Sequence, residues 1–432
     1  MRRALAALTV LVLIALTARA AASMEAGLDY LNDAGDSIDA LARGDLQGFV
    51  ANQPLMGSFS MLLRAPFVAA VFHQSVEAVY FAGAVPCLAA TLVLGLTLAR
   101  LLAEREQPAT VQGLAAGLAV INPLTFQALH WGHPEELLAG ALCVGAVLAA
   151  MRERALTAAV LLGLALATKQ WALLAVLPVL LAAPSRRLTV ALVAGAIAAA
   201  LTLPLMLGDP GQFGSVARAA AGQDAIGTST TPWNVWWPFA DKVAVAPFGP
   251  RWMAPQWVAT VSHPGIVAVA LPLSLLLWRR ADRRPDDALL LLALLFLLRC
   301  LLDNWNNDYY HVPLVLSLLA WESVRRPGVP YLTMAVLILV SASFWPIEDR
   351  MFGDSRDHAG VLFALYMAWA LPLATGLALL LYRPATAASA LAGSVQLLRG
   401  EYHRRRGASA RPAAVRGRPR RGGDRQLDRP SA

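Results

Sequence analysis

Lys169 carries the first chemical signal in this chain. It is one of only two lysines, with Lys242, among 36 basic residues, and it lies in TKQW inside the apolar stretch 155–183. An ammonium group in hydrocarbon costs about 2.5–3.5 kcal/mol, so it should face a wet cavity or an anion. The chemistry that suits it is stabilisation of a buried negative group, a lipid phosphate being the natural one in a bilayer. A lysine snorkelling to the interface is the alternative. Gln170 adjoins it and adds an amide.

A second cluster reads HWGHPEELL, residues 130–138, and brings His130, His133, Glu135 and Glu136 to the start of an apolar helix. His133 and Glu136 are three apart and share a helix face. A histidine at a helix N-terminus suits phosphate or hydroxyl contacts. Capping by His-Pro-Glu-Glu is the plainer reading, and the spacing matches no zinc signature. A third cluster lies in residues 24–77, where Glu25, Asp29, Asp33, Asp36, Asp39 and Asp45 crowd together. A carboxylate near the membrane surface can take a proton from a hydroxyl. Asp29, Asp33 and Asp36 are the candidates for that base; a solvated acidic loop with helix caps is the alternative. Arg64, in SMLLRAPF, begins a segment expected to lie on the outer leaflet, within reach of a phosphate. RCLLDNWNNDYYHVPL, residues 299–314, sets Asn304, Asp308, Tyr310 and His311 at another helix start. That density of hydrogen-bonding groups suits a polyhydroxylated ligand, although Asp308 also reads as an N-cap. Trp233, with Trp236, Trp237, Asn234 and Asp224, offers either a sugar-stacking face or an interfacial anchor.

The elements that must position these groups are membrane helices. The chain has 432 residues, 57% hydrophobic and 15% charged, with a mean hydropathy of +0.54. Apolar runs recur along nearly its whole length, and each span needs about 20 such residues. The fold class is therefore all-α: a polytopic membrane protein. Helices are expected near 4–22, 78–102, 111–129, 135–151, 155–169, 171–184, 188–207, 262–279, 287–302, 308–323, 330–346 and 360–382, about twelve transmembrane helices in all. The pair 155–169 and 171–184 is short enough to be a broken, re-entrant pair. Residues 1–23 read as an uncleaved anchor or a cleavable signal, and either places residue 24 onward outside. Arg105, Arg152, Arg154, Arg186, Arg187, Arg279, Arg280, Arg283, Arg284, Arg325 and Arg326 then fall on the inner side, as the positive-inside rule requires. Loops 24–77 and 208–261 fall outside. The chain divides into a transmembrane domain, 1–383, and an Arg-rich cytoplasmic tail, 384–432, expected to be disordered.

The net charge of +8 is explained by this orientation, so no nucleic-acid partner is expected. Cys87, Cys143 and Cys300 fall in apolar runs without CxxC spacing and read as small core hydrophobes. The polar chemistry is one-sided: inner loops are short and mostly arginine, while outer loops hold carboxylates, amides, histidines and tryptophans. An extracytoplasmic site is the economical reading.

WGHPEELLAGAL, then MRERA, then GLALATKQWALLAVLPVLL resembles the GT-C superfamily of membrane glycosyltransferases, especially the polyprenyl-phosphate-mannose-dependent mannosyltransferases of the GT87 type. DYLNDAGDSIDALARGD is similar to the family's acidic first outer loop, and YYHVPLVLSLLAWE to one of its late helices. The outer turn has GHPEE where GQ-x-N is more usual. The first loop lacks a clear Asp-x-x-x-Tyr register, which leaves the base open among Asp29, Asp33 and Asp36. The resemblance implies transfer of a hexose, mannose by analogy, from a polyprenyl-phosphate donor to a glycan or lipid acceptor. It implies a multi-pass protein of a bacterial plasma membrane, working on the cell envelope from the extracytoplasmic face. Lys169, with His133 and Arg64, would hold the leaving phosphate; Gln170, Glu135, Asn304, Asp308, Tyr310, His311 and Trp233 would complete the substrate site. No cofactor is expected, since the lipid-linked sugar is itself a substrate, and a divalent metal stays open. The rival from another class is a multi-pass transporter or lipid flippase, which predicts paired charges near the midplane and symmetric repeats; neither is evident. A non-catalytic membrane scaffold leaves the one-sided polar clustering unexplained.

Overall fold

The break beside Lys169 is the most consequential one in this fold. A helix running unbroken from 155 to 182 would put Pro178 in its interior, against the carbonyl one turn earlier. The chain stops first. In the computed structural model, which describes residues 28–71, 73–220, 228–245, 249–344 and 356–384, the helix from Ala155 ends at Leu166. Lys169 is extended at φ −146°, ψ 137°, and a 3₁₀ turn covers Gln170–Ala175. A new helix begins at Val176, so Pro178 falls in its first turn, where it is tolerated.

The other elements follow in chain order. A helical start, Leu28–Tyr30, leads through a π turn, Leu31–Gly35, into α1 (Asp36–Ala42). Then come α2 (Leu46–Ala51), α3 (Ser58–Ala69), α4 (Val76–Ala103), α5 (Ala109–Val120), α6 (Pro123–His130), α7 (Pro134–Met151), α8 (Ala155–Leu166), α9 (Val176–Ala182), α10 (Arg187–Gly208) and α11 (Pro210–Ala220). Strands β1 (Asp241–Val245) and β2 (Gly249–Met253) form an antiparallel hairpin that pairs Asp241 with Met253. α12 (Gln256–Arg279), α13 (Asp287–Leu302), a 3₁₀ turn (Asp308–His311), α14 (Val312–Arg325), α15 (Tyr331–Phe344) and α16 (Arg356–Tyr382) complete the bundle.

Each apolar segment foreseen beyond residue 27 is helical. Among the described residues six spans are long and apolar enough to cross a membrane, Ala109–His130 counted as one, and the protein is an all-α membrane protein. The helix expected at 111–129 is split, because Asn122 caps α6 by accepting from the Thr125 amide at 3.1 Å, with Pro123 behind it. The hairpin inside 208–261 was not foreseen. The expected helix at 4–22, residues 385–432 of the tail, and Asp224 lie outside the described residues.

α7 is the centre of the bundle. Its run of Ala, Gly and Leu lets α4, α8 and α14 pack closely around it, and nearly every one of its residues is buried. Cys87, Cys143 and Cys300 are free and buried, as their apolar settings imply. At one end of the bundle Arg152 meets Glu104 at 3.6 Å and Arg325 meets Asp286 at 3.3 Å. Arg105 donates to the Val324 carbonyl there. These contacts gather the basic loops after α4, α7 and α14, and that between α12 and α13, at that end. The start of α7 points to the other.

Two glycines pin the first loop to that other end. Gly132 has φ +86°, and a Cβ there would lie 2.7 Å from Tyr30; Gly is needed both for the conformation and for the approach. The Gly57 amide donates to the Thr168 carbonyl at 2.9 Å and the Phe59 amide to the Ala167 carbonyl at 3.0 Å. The early loop is thereby clasped to the turn that carries Lys169. A Cβ on Gly57 would lie 2.1 Å from the Ala167 carbonyl oxygen. Gly57→Ala should therefore lower stability by about 1–3 kcal/mol. Gly117→Ala, with open space at its Cβ, is the control; thermal unfolding of both variants in detergent compares them. Equal melting temperatures would mean that the clasp is not tight.

Candidate functional site

About half of the foreseen site residues, Asp29, Asp33, His133, Lys169, Gln170, Asn304 and Tyr310, meet in one cavity of about 590 Å³. One wall comes from the first loop, the start of α7 and the turn after α8. It presents Asp29, Asp33, His133, Glu136, Lys169 and Gln170. A second wall comes from α12, the segment after α13, the hairpin and the residue bridged to it. It presents Ser229, Arg251, His263, Asp303, Asn304 and Trp305. Trp171, Arg299, Tyr309 and Tyr310 also line the space.

Behind the first wall stands a buried charge cluster. Glu135, wholly enclosed, reaches Lys169 at 3.0 Å, His133 at 2.9 Å and Arg64 at 3.8 Å. Glu136 reaches Lys169 at 3.4 Å and Arg299 at 3.6 Å, and accepts from the Trp171 indole at 3.1 Å. Consecutive carboxylates on one helix turn thus share the Lys169 ammonium. The Arg299 guanidinium stacks over Tyr310 at 4.3 Å and Trp171 at 4.9 Å. His133 is held on three sides: Glu135 on Nδ1, Asp29 on Nε2 at 3.5 Å, and the Tyr309 ring stacked at 4.9 Å.

The charges in the first loop respond to this setting. Burial pushes the Asp33 carboxyl up to about 6, with Asp29 and Glu135 adding to the rise and His133 and Lys169 opposing it. Burial works against charging the His133 imidazole, but its bonds to Asp29 and Glu135 outweigh this and push it up to about 9. Near neutral pH the wall holds a carboxylate ready to take a proton beside a protonated imidazole and an ammonium.

Several sequence expectations are corrected here. Asp36 is exposed and does not line the cavity: Asp29 and Asp33 sit one turn apart, and Asp36 has rotated off their face. Arg64 does not lie on the leaflet reaching for phosphate. It is fully buried in α3 behind Glu135, under the Tyr30 ring. Glu135 likewise lies behind the wall, and Glu136 faces the cavity in its place. His311 is turned into the core, with Nε2 on the Tyr366 hydroxyl at 2.8 Å and Nδ1 on the Asp308 carbonyl at 2.9 Å. Asp308 is buried, and its side chain accepts from the Tyr309 amide at 2.6 Å. Trp233 stacks on Phe344 at 4.1 Å and donates to the Ser343 carbonyl, so it packs the core and offers no face to a sugar. Of the polar and aromatic residues that line the cavity, His263, Arg251, Ser229 and Trp305 escaped the sequence reading. A histidine followed by proline inside an apolar helix was an available signal for the first; Arg251 had none. Among the described residues, no group of three His, Cys, Asp or Glu side chains is arranged to hold a metal ion.

A helical membrane protein with a cavity of opposed carboxylates and cations at one end of its bundle is the class defined by this geometry. Residues 59–303 match glycosyltransferase family 87, more than half of the chain, and the chain belongs to that family. It is a glycosyltransferase with sugar donor and acceptor substrates. No curated protein sequence matches it. The matched range carries His133, Lys169, Arg299 and Asp303; Asp29 and Asp33 lie ahead of it.

Proposed function

We propose that the chain moves a hexose, most simply mannose, from a polyprenyl-phosphate donor to a glycan or lipid acceptor, on the outer face of a bacterial plasma membrane. The observation that carries this reading is that Asp29 and Asp33, from the first loop, line the same cavity as Lys169 and His133. Asp33 takes the proton of the acceptor hydroxyl. The freed oxygen attacks the anomeric carbon, and the bond from that carbon to the phosphate oxygen breaks with its electron pair on the phosphate. Lys169 and His133 hold the charge that develops there. Asp29 keeps His133 oriented and protonated. Arg64 and Glu135 act through the groups they hold. The donor brings its own leaving group, so the scheme uses no cofactor.

Topology supports the side. The basic loops gather at the end opposite the cavity, and basic loops stay in the cytoplasm. The scheme keeps about twelve spans, the shorter helices being broken ones or ones met by local thinning of the bilayer, with 24–77 and 208–261 outside and the tail inside. Glu135, Glu136 and Arg299 stand at helix ends. A transporter would place such charges near the midplane.

Protein in native membranes, given radiolabelled polyprenyl-phosphate mannose and an extract of envelope glycolipids, is expected to transfer label; no transfer above protein-free membranes would reject the donor. The pH dependence has a predictable shape. Asp33 acts only as carboxylate, so kcat/KM should climb as pH rises to about 6. His133 acts only as cation, so it should fall again above about 9. A bell with those limbs is the expected profile, and a flat profile would exclude these assignments.

A further inference from the structure

The second wall has chemistry of a different kind from the first. His263 and Asp303 face each other at 3.8 Å, with Asn304, Trp305 and Ser229 lining the same space. This wall is built rigidly. Asn234 donates to the Asn304 carbonyl at 3.0 Å, the Val235 amide to the Leu301 carbonyl at 3.0 Å, and Asn306 to the Trp233 carbonyl at 2.6 Å. The Asp303 carboxylate accepts from the Trp305 amide at 3.2 Å, so the short segment 303–305 is held by its own side chain and by the loop at 231–235. The Thr230 amide donates to the Trp252 carbonyl at 2.9 Å, which ties Ser229 and the hairpin to the same edge.

We propose that His263, Asp303, Asn304 and Trp305 form the acceptor subsite, and that it takes a neutral, polyhydroxylated sugar terminus. The assignment rests on the reading of the chain as an enzyme with a lipid-linked donor. A transfer reaction must hold two substrates in one space, and the two walls divide that space by chemistry. The donor's phosphate is placed with Lys169 and His133 on the first wall, which leaves the Asp303 carboxylate of this wall to the other substrate. A carboxylate accepts from vicinal hydroxyls, while an amide both donates and accepts and an imidazole adds a further partner. An indole gives an apolar body against which the C–H face of a sugar ring packs. Arg251 lines this wall as well as Asp303, so neither sign of charge dominates there, as suits a neutral ligand. An acceptor hydroxyl presented from this side would lie in the same cavity as Asp33.

The test uses the full chain in lipid nanodiscs with synthetic polyprenyl-phosphate mannose as donor and octyl α-mannoside as acceptor. His263→Gln, Asp303→Asn and Trp305→Ala should each raise the acceptor KM about tenfold or more while donor KM stays within about twofold. Equal weakening of donor and acceptor, or an unmoved acceptor KM, would overturn the subsite. His263 is partly exposed on a helix, so its variant keeps the test meaningful should Asp303→Asn fail to fold. A second arm needs no transfer. Saturation-transfer NMR with methyl α-mannoside should show binding to the wild type and loss of signal in Trp305→Ala. Absence of signal in the wild type, or its persistence in the variant, would count against the subsite. A wild type that binds the mannoside but transfers nothing from the donor would overturn the donor assignment and leave the subsite standing. Preference for an anionic sugar over the neutral one would overturn the neutral assignment.

Discussion

Asp33→Asn is expected to reduce transfer by about 10²–10⁴-fold, the contribution of a positioned general base. Asparagine keeps the size and one acceptor oxygen but cannot take a proton, so the loss should fall on turnover and leave donor affinity nearly unchanged. The variant should also lose the acid limb of the pH profile, since that limb belongs to the Asp33 carboxyl, raised to about 6 by burial. Asp29→Asn acts differently. Asp29 touches His133, so its removal should shift the alkaline limb downward and cost less in turnover. Asp36→Asn, on an exposed carboxylate outside the cavity, should remain within a few-fold of wild type. Steady-state kinetics on the three variants separates these roles. Full activity in Asp33→Asn, with loss in Asp29→Asn, would transfer the base to Asp29; full activity in both would remove it from the first loop.

Lys169→Met carries the other large effect, and the structure changes what it should do. A lysine alone in an apolar helix would be replaced by methionine with a gain in insertion. Here the ammonium is shared by two buried carboxylates. Removing one partner of a buried ion pair costs about 3–5 kcal/mol, because the charge left behind is uncompensated. The variant should melt at a lower temperature and lose about 10²–10³ in rate. The two losses can be pulled apart. Lys169→Met combined with Glu136→Gln removes a charge of each sign while Glu135 keeps Arg64 and His133 paired, and should recover part of the stability while the rate stays low. Recovery of both would mean that Lys169 serves the fold alone. A wild-type melting temperature in Lys169→Met would contradict the buried cluster itself.

The helices were legible because hydrocarbon imposes one rule on every span, and apolar length reports it directly. Lys169, His133 and the first-loop aspartates were legible for the converse reason: ionisable groups beside apolar runs are expensive and need a cause. What lay beyond reach was partnership. Glu135 and Glu136 are adjacent in sequence, and nothing local says that one faces the cavity while the other collects Arg64, His133 and Lys169 behind it. The 30-odd residues between α7's start and Lys169 close only when α8 folds back along α7. Asp36 was misplaced by helix phase, because a π turn at Leu31–Gly35 alters which residues share a face with Asp29. Trp233 and His311 belong to types enriched at ligand sites, yet here each satisfies its polar atom inside the core. Type alone does not distinguish those uses. The hairpin that brings Arg251 to the cavity sits in a long loop whose alternation is too short to read.

The clasp between Gly57 and Thr168 has a consequence for the timing of synthesis. A chain leaving the ribosome releases its acidic loop first, long before the segment that anchors it has been made. Until the turn after Ala167 is in place, Asp29 and Asp33 have no wall to join, and Glu135 has no ammonium to balance it. Arg299 and Asp303 arrive later still. A nascent chain halted before that turn would therefore present isolated carboxylates, and one halted before α13 would still lack Arg299, the partner of Glu136, and the wall of Asp303 and Asn304. The complete cavity is thus itself the sign that synthesis has passed α13.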